Sequence, residues 1–298
     1  MSEKAYFIGA HTYFAPVIEP ALYLVATPIG NLADITIRAL QVLAGVDILA
    51  CEDTRVTRIL LEHYGIKKKT FLYHEHNAQK AGPRLLEALA DNKTVALVSD
   101  AGTPLISDPG FRLVEEAREA NHKIIPIPGA SALLAALITT GFPTDSFFFA
   151  GFLSGRKVQR QKRLVQLSAI PATLIFYESP HRLVETLQDM VSIFSVDRPA
   201  AICRELTKKF ETVDVSNLGS LLENYGKQQH IRGEIVVLVG EAPPSLKVMD
   251  DQEIDELLLE LAKTHSAAKA AALATKKTGI RKRELFQRLT FLKDAKDD

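Results

Sequence analysis

From residue 21 to residue 127 the sequence alternates short β-branched and aliphatic runs with segments of helical hydrophobic spacing, and this alternation restricts the fold most strongly. The aliphatic runs predict five strands, at 21–26, 47–51, 70–73, 94–99 and 123–127. Helical spacing at 35–43, 56–64 and 79–90, and from Pro109 in a first turn to Ala120, predicts a helix between each pair of strands. Strands separated by helices are typical of a parallel, wound α/β sheet.

The pattern changes after Pro126 and Pro128–Gly129, which mark a joint between domains. A helix of small residues at 130–140 is followed by predicted strands at 146–150, 172–177, 200–204, 210–214 and 234–239. Only two connections, 155–168 and 181–194, are long enough for a substantial helix. We therefore predict a second α/β domain built on a mixed sheet.

The C-terminal part reads as helical. A linker at 242–245 (APPS) precedes helices at 250–262, 266–277 and 281–292, and the last two are separated by Thr278-Gly279-Ile280. This spacing is typical of a helix-turn-helix, although αα-hairpins share it. The predicted organisation is a flexible N-terminal tail at 1–20, an N-terminal α/β domain at 21–127, a C-terminal α/β domain at 128–242 and a basic helical domain at 243–298.

Charge limits the partners. In 298 residues, 36 basic and 36 acidic side chains cancel, so any nucleic acid must be met by local basic patches. One candidate patch comprises Arg156, Lys157, Arg160, Lys162 and Arg163; a second lies in a stretch, 263–293, with nine Lys or Arg against Glu284, and includes Lys276, Lys277, Arg281, Lys282 and Arg283. A solvated face is the alternative for the second patch.

Two cysteines make no disulfide framework, which favours a reducing cytoplasm. The first 20 residues lack the apolar core of a signal peptide, and no run of 18 apolar residues predicts a membrane span.

Ligands of open α/β sheets bind at the carboxyl ends of the strands, so the loops there are the first candidates. The loop at 27–32 (TPIGNL) has one glycine and is neither a dinucleotide fingerprint nor a Walker loop. In HEHN at 74–77 the histidines lie at i and i+2, off a common helix face, and we predict no metal. The loop at 99–110 (SDAGTPLISDPG) is stiff and exposes backbone donors, which suits a small polar ligand as well as a plain connection.

Polar clusters also end strands of the second half: FYESPHR at 176–182, RELTK at 204–208 and RGE at 232–234. Each alone is compatible with an ordinary capped turn. Together they favour a cleft between the two sheets.

Eight motifs occur in chain order: ATPIGNL, EDTR, HEHN, VSDAGTPLISDPG, PIPGASA, FYESPHR, RELTK and RGEIVVLV. The set resembles the tetrapyrrole methylase superfamily of S-adenosylmethionine-dependent methyltransferases, from about Leu22 to Val239, and the helical tail resembles its RNA-acting branch. The resemblance implies 2′-O-methylation of the ribose of a decoding-centre cytidine in 16S ribosomal RNA of the small subunit, by a homodimer, without DNA or membrane partners.

The resemblance also implies a cofactor site in the cleft between the domains. The residues that match it are Pro28, Ser99, Asp100, Gly102, Thr103, Ile106, Ser131, Ala132, Tyr177, Leu206, Glu234 and Ile235. Superfamily members that act on porphyrin-like rings usually carry a glycine-rich first loop, and TPIGN departs from it. This departure favours an RNA substrate.

Methyl transfer to a ribose hydroxyl needs alignment and a proton acceptor. The candidate acceptors are Glu178 and Asp100, with His181 as the alternative base. Arg55 and Lys208 are candidates for binding phosphate or stabilising charge, and Asn77 completes the set. It remains equally open that several of these acids only pair with arginines. The alternative functions are methylation of a porphyrin-like ring and a non-catalytic RNA-binding ribosome assembly factor.

Overall fold

The computed structural model describes residues 4–241, 250–278 and 280–297, and the side chains of Lys276 and of residues 293–297 lie outside this description. The chain divides into two compact units, Met1–Glu241 and Ala242–Asp298. The linker predicted at 242–245 falls outside the described residues. The domain boundaries taken from the sequence stay predictions.

The N-terminal residues form a β-hairpin of strands β1 (Ala5–Ile8) and β2 (His11–Phe14), and the predicted flexible tail is wrong for this segment. Tyr6 is 2% exposed and belongs to a core shared with the first sheet, and the Phe7 N–H donates to the Tyr64 carbonyl. A strand of four residues with one buried side chain leaves too little hydrophobic periodicity to be detected in the sequence.

The first sheet is parallel throughout, which confirms the α/β prediction. Its strands are β3 (Leu22–Val25), β4 (Ile48–Cys51), β5 (Thr70–Leu72), β6 (Val95–Val98) and β7 (Ile124–Ile127), in the order β5-β4-β6-β3-β7. The helices between them are α1 (Ile37–Gly45), α2 (Thr54–His63), α3 (Ala78–Ala90) and α4 (Phe111–Glu119). Because β3 and β6 are parallel neighbours, the loops that follow them leave the same edge of the sheet side by side, which is where open α/β sheets bind ligands.

Helix α4 begins later than predicted. Pro109 was expected in its first turn, but the helix starts at Phe111. Gly110 has a φ of 130°, which is incompatible with helical backbone and assigns Pro109 to the preceding loop.

The second sheet is mixed, as predicted. Helix α5 (Ala132–Thr139) leads into β8 (Phe147–Phe152), α6 (Lys157–Ser168), β9 (Thr173–Glu178), α7 (Leu183–Phe194), β10 (Pro199–Arg204), β11 (Thr212–Asn217), α8 (Leu218–Gly226) and β12 (Ile235–Val239). In the order β11-β10-β12-β9-β8, only β8 and β9 are parallel. Helix α8 was not predicted, because Asn217 both ends β11 and caps the helix, leaving no loop between them.

The C-terminal unit contains helices α9 (Asp251–Thr264), α10 (Ala267–Thr278) and α11 (Lys282–Asp297). They pack through one small core that includes Leu258, Ala271 and Leu285. A capping box between Asp250 and Glu253 starts α9. Among the helices described, none is both long and apolar enough to cross a membrane.

Candidate active site

Two loops at the carboxyl edge of the first sheet are joined by backbone hydrogen bonds. The Thr27 N–H donates to the Gly102 carbonyl at 2.9 Å, and the Gly102 N–H returns a bond to the Thr27 carbonyl at 3.0 Å. The Thr103 hydroxyl donates to the Ala130 carbonyl at 3.3 Å, which ties the same loop to the start of α5. The loops after β3, β6 and β7 therefore form one wall.

The loop at 99–110 holds an unusual backbone path. Gly102 and Gly110 have φ values of 77° and 130°, and the non-glycine residues Leu105 and Ser107 lie at 72° and 66°. Left-handed backbone at non-glycine residues costs of order 1 kcal/mol or more each and is concentrated at functional sites. This backbone path places Ile106, Ser107 and Asp108 in the lining of a cavity.

A second strained loop faces the first from the other sheet. Glu205 and Thr207 have φ values of 52° and 66°, and they flank Leu206, which is buried in the cavity wall. The Glu234 N–H donates to the Glu205 carboxylate at 3.0 Å, and the Glu205 N–H donates to the Glu234 carbonyl. These bonds hold the loop in its conformation.

The larger cavity has a volume of about 320 Å³ and lies between the two sheets. It is lined by most of the residues predicted to hold the cofactor, namely Gly102, Thr103, Ile106, Ser131, Ala132, Tyr177, Leu206, Glu234 and Ile235. The other three predicted residues, Pro28, Ser99 and Asp100, line a second cavity of about 230 Å³. Ile29, Ala101 and Glu234 border both cavities, so the two are adjacent.

One wall of the larger cavity is aromatic. Tyr177 contacts Phe149 and Phe152 edge-on, with ring centroids 4.9 and 5.5 Å apart. An irregularity of register between Phe149 and Gly151 in β8 changes the direction of the strand just before Phe152, which lines the cavity. The wall suits a flat, partly apolar ligand.

A cluster of carboxylates lies on the loops that follow β4 and β6. Burial, and then the charges of Glu52 and Asp100, raise the pKa of Asp108 to about 6, although a hydrogen bond from Ser99 lowers it. Burial also raises the pKa of Glu52 and of Asp100, and neighbouring acids add to both effects. Partly buried carboxylates that repel one another favour a cationic ligand.

Sequence reasoning did not select Asp108, although it lies in the loop at 99–110. The sequence did contain a signal for Asp108, since it lies two residues after Ile106, which was predicted to hold the cofactor. Phe152, Ser179 and Cys203 also line the cavity without having been predicted; Ser179 lies in the FYESPHR motif, whereas Phe152 and Cys203 lie in no motif. Cys203 is fully buried and burial raises its pKa to about 11, so it contributes an apolar surface.

Several predicted catalytic residues have structural partners instead. Glu178 is 3% exposed, and its carboxylate accepts bonds from the Ser179 N–H at 2.7 Å and the Thr186 hydroxyl at 2.6 Å and pairs with Arg182 at 2.8 Å. With both oxygens engaged, Glu178 is unsuited to act as a base. The Asn77 side chain accepts from the His74 N–H and donates to the Leu72 carbonyl, so it closes its own loop.

Other candidates lie away from the cavities or at their border. His181 is exposed and lines neither cavity. Arg55 is also exposed and pairs with Asp53 at 2.6 Å, which lowers the pKa of Asp53 to about 2. Lys208 lines the second cavity, and its ammonium group is bound to the carboxylates of Glu205 at 2.8 Å and Glu234 at 3.0 Å.

The structure separates the basic residues of α6. Arg156, Lys157, Lys162 and Arg163 are exposed. Arg160 is 2% exposed and donates to Asp189 at 2.7 Å, so its assignment to an RNA surface is wrong. Its burial follows from helical spacing, because Arg160, Leu164 and Leu167 share the face that packs on the sheet. In the C-terminal unit the side chains of four predicted residues are exposed, namely Lys277, Arg281, Lys282 and Arg283. The side chain of Lys276 lies outside the described residues.

Comparisons with protein families match two regions. Residues 21–222 match the family of Tetrapyrrole (Corrin/Porphyrin) Methylases, and residues 248–293 match the RsmI C-terminal HTH domain. Among curated relatives, a protein of Mesorhizobium japonicum named ribosomal RNA small subunit methyltransferase I is 55% identical over 97% of both chains. A protein of the same name from Vibrio cholerae is 44% identical over 90% of this chain and 93% of its own.

Solved structures of the same fold are more distant. Diphthine synthase superposes with a TM-score of 0.59 at 18% identity, over 74% of this chain and 89% of its own. The methyltransferase CobJ superposes with a TM-score of 0.56 at 21% identity, over 75% and 95%. At these identities the likeness supports the fold alone.

Proposed function

The chain belongs to the tetrapyrrole methylase family, and on this premise we propose that it methylates the ribose 2′-oxygen of a decoding-centre cytidine in 16S ribosomal RNA. It is a methyltransferase, and S-adenosylmethionine is its methyl donor. The observation that carries the RNA substrate is the 55% identity, over 97% of both chains, to a protein named ribosomal RNA small subunit methyltransferase I. The homodimer and the cytoplasmic location implied by the sequence stay predictions.

The residues of the larger cavity fit this donor. S-adenosylmethionine joins an adenine ring to a positively charged sulfur and, when bound, supplies an electrophilic methyl group. Tyr177 and Leu206 offer an apolar surface for a ring, and Asp108 offers a carboxylate for a cation. We assign the cofactor to this cavity, with Gly102, Thr103 and Ser131 at the loops that enclose it.

The second cavity is our candidate for the nucleophile. It shares Ile29 and Ala101 with the first, so an oxygen bound there lies beside the cofactor site. Pro28, Leu32 and Val56 give it an apolar lining, while Asp100 and Lys208 give it polar groups. Holding two reactants in line can supply roughly 7–11 kcal/mol of the barrier.

Asp100 is the proton acceptor that the geometry supports best. Its Oδ1 accepts from the Asp53 N–H at 2.9 Å, which fixes the carboxylate at the edge of the second cavity, and its raised pKa makes it a stronger base than an exposed aspartate. The hydroxyl proton would pass to Asp100 as the O–C bond forms and the C–S bond breaks, with the electron pair remaining on sulfur. Such assistance is typically worth about 10²–10⁴-fold in rate.

The experiment supplies tritiated S-adenosylmethionine to small ribosomal subunits that lack ribose methylation, followed by mass spectrometry of nuclease fragments. We expect one methyl group on a cytidine ribose of 16S RNA. Label on a base, on a porphyrin-like ring offered in parallel, or on nothing would contradict the proposal. Calorimetry of cofactor binding on the same preparation shows whether a negative result comes from a wrong substrate or from an inactive protein.

The exposed part of α6 is proposed to contact RNA phosphates. Replacing Lys162 and Arg163 by glutamate is expected to weaken binding of the small subunit roughly fivefold to tenfold and to flatten its salt dependence, because each phosphate contact contributes a slope of about −0.7 on single strands. Filter binding at salt concentrations from about 50 to 200 mM, the range in which phosphate contacts are screened, would measure both the affinity and its salt dependence.

The matched control reverses the charges of Lys67 and Lys69, two exposed lysines in the first half of the chain, by replacing both with glutamate. It changes net charge equally but lies outside the proposed surface. Equal losses in the two variants would mean that the effect is one of overall charge, and the assignment of α6 would then fail.

A further inference from the structure

The C-terminal unit has opposite charges on different helices. Helix α9 carries the acidic residues Asp251, Glu253, Asp255, Glu256 and Glu260. From residue 265 to residue 292, by contrast, Glu284 is the one acid in the sequence, against seven Lys or Arg. A unit this small with its charges so divided presents a basic surface that attracts phosphate.

Arg288 is not part of that basic surface. Its guanidinium donates to Asp255 at 2.5 Å, to Asp251 at 2.6 Å and to the Asp251 carbonyl at 2.6 Å. These bonds fix α11 against α9. They determine which face of α11 is buried with Leu285 and Leu289, and which face remains outside.

The outer face of α11 is unusual in composition. Arg283, Gln287 and Thr290 are exposed at helical spacing, and Phe286 and Phe291 lie on either side of them, 40% and 74% exposed. At 100° per residue these five side chains span an arc of about 140°. Exposed aromatic rings beside cationic side chains offer stacking surfaces and phosphate contacts on one face.

We propose that this face of α11 binds an unpaired RNA segment, with Phe286 and Phe291 stacking on bases and Arg283 contacting phosphates together with Lys282, which is exposed at the first position of the helix beside this arc. Unpaired RNA matches both features, because its bases offer flat surfaces to aromatic rings and its backbone is anionic. In a duplex the base faces are covered by stacking, so phosphate contacts alone remain. The inference rests on the proposed RNA substrate and adds where a second contact is made.

The test uses the full-length chain with a fluorescent 20-nucleotide single-stranded RNA of mixed sequence and, separately, its 20-base-pair duplex. Stacking of bases on aromatic side chains tolerates any base sequence and is lost when the ring is removed. We expect Phe286→Ala/Phe291→Ala to bind the single strand at least tenfold more weakly, with an unchanged salt slope, and the duplex within twofold of the original chain. Lys282→Glu/Arg283→Glu should weaken both and flatten both salt slopes.

Phe111→Ala is the matched control, since Phe111 is 70% exposed at the start of α4 in the other unit. Single-strand affinity of the double phenylalanine variant equal to that of this control would overturn the inference. Equal losses of affinity for single strand and duplex would also overturn it. So would a change in the molecular mass of the phenylalanine variant in light scattering, because it would indicate that a second copy of the chain covers this face.

The same variants are assayed for methyl transfer to small subunits. If the unsubstituted chain binds the single strand through its two phenylalanines but does not methylate ribose, the proposed function is wrong and this inference stands. Ribose methylation with no phenylalanine-dependent binding would do the reverse.

Discussion

Asp108→Asn is expected to weaken binding of S-adenosylmethionine at least thirtyfold. Asp108 lines the larger cavity, and its partly buried carboxylate is the group there best suited to a cationic ligand. Removing one partner of a desolvated charge pair costs about 2–5 kcal/mol, and the amide keeps the size of the side chain while removing its charge. Isothermal titration calorimetry at pH 7.5 measures the loss.

The same residue predicts a pH dependence. Because the pKa of Asp108 is raised from 3.8 to about 6, cofactor affinity should fall as the pH drops through about 6. The folded, ligand-free protein binds this proton more tightly than the unfolded chain, so the carboxylate destabilises the fold increasingly as the pH rises from 3.8 to about 6, and fully above it. Asp108→Asn should therefore raise the free energy of unfolding at pH 7 by about 1–2 kcal/mol, after allowance for partial exposure.

Asp53→Asn is the control, since it makes the same change at the same sheet edge but lines neither cavity. Its carboxylate has a pKa of about 2 and pairs with Arg55 at the surface, so cofactor affinity should change less than twofold. Tight cofactor binding by Asp108→Asn, or a loss of the same size in Asp53→Asn, would refute the role given to Asp108.

Arg160→Ala is expected to lower the free energy of unfolding by about 3–5 kcal/mol, because it leaves the Asp189 carboxylate without its buried cation. Arg160 and Asp189 are 2% and 4% exposed, and their charged atoms lie 2.7 Å apart. The Gln161 amide, which donates to Asp189 at 2.8 Å, compensates only part of the loss. Urea denaturation of the ligand-free chain gives the difference.

Arg163→Ala on the same helix is the comparison, because its side chain is exposed and should change stability by less than about 0.5 kcal/mol. Replacing Arg160 and Asp189 together by methionine and leucine should recover most of the lost stability, since no buried charge then remains unpaired. A small effect of Arg160→Ala on stability, combined with a large effect on RNA affinity, would restore Arg160 to the RNA surface.

The parallel sheet of the first half and the mixed sheet of the second could be predicted, because each strand is a short aliphatic run with its own turn signals. The N-terminal hairpin could not, since Tyr6 is buried in a core to which α1 and the first sheet, distant from it in sequence, contribute most of the residues. Helix α8 was missed for a local reason, as Asn217 leaves no loop between strand and helix.

The sequence by itself determined the fold class and the loops that carry the site, because hydrophobic periodicity and the order of the polar motifs are written along the chain. Tertiary structure alone decided what each charged side chain does. Asp108, in the loop after β6, and Glu178, the last residue of β9, both line the larger cavity, yet burial raises the pKa of Asp108, whereas the Glu178 carboxylate is held by Arg182 and Thr186. Burial and partners distant in sequence set the energy of a charge, and no local pattern records them.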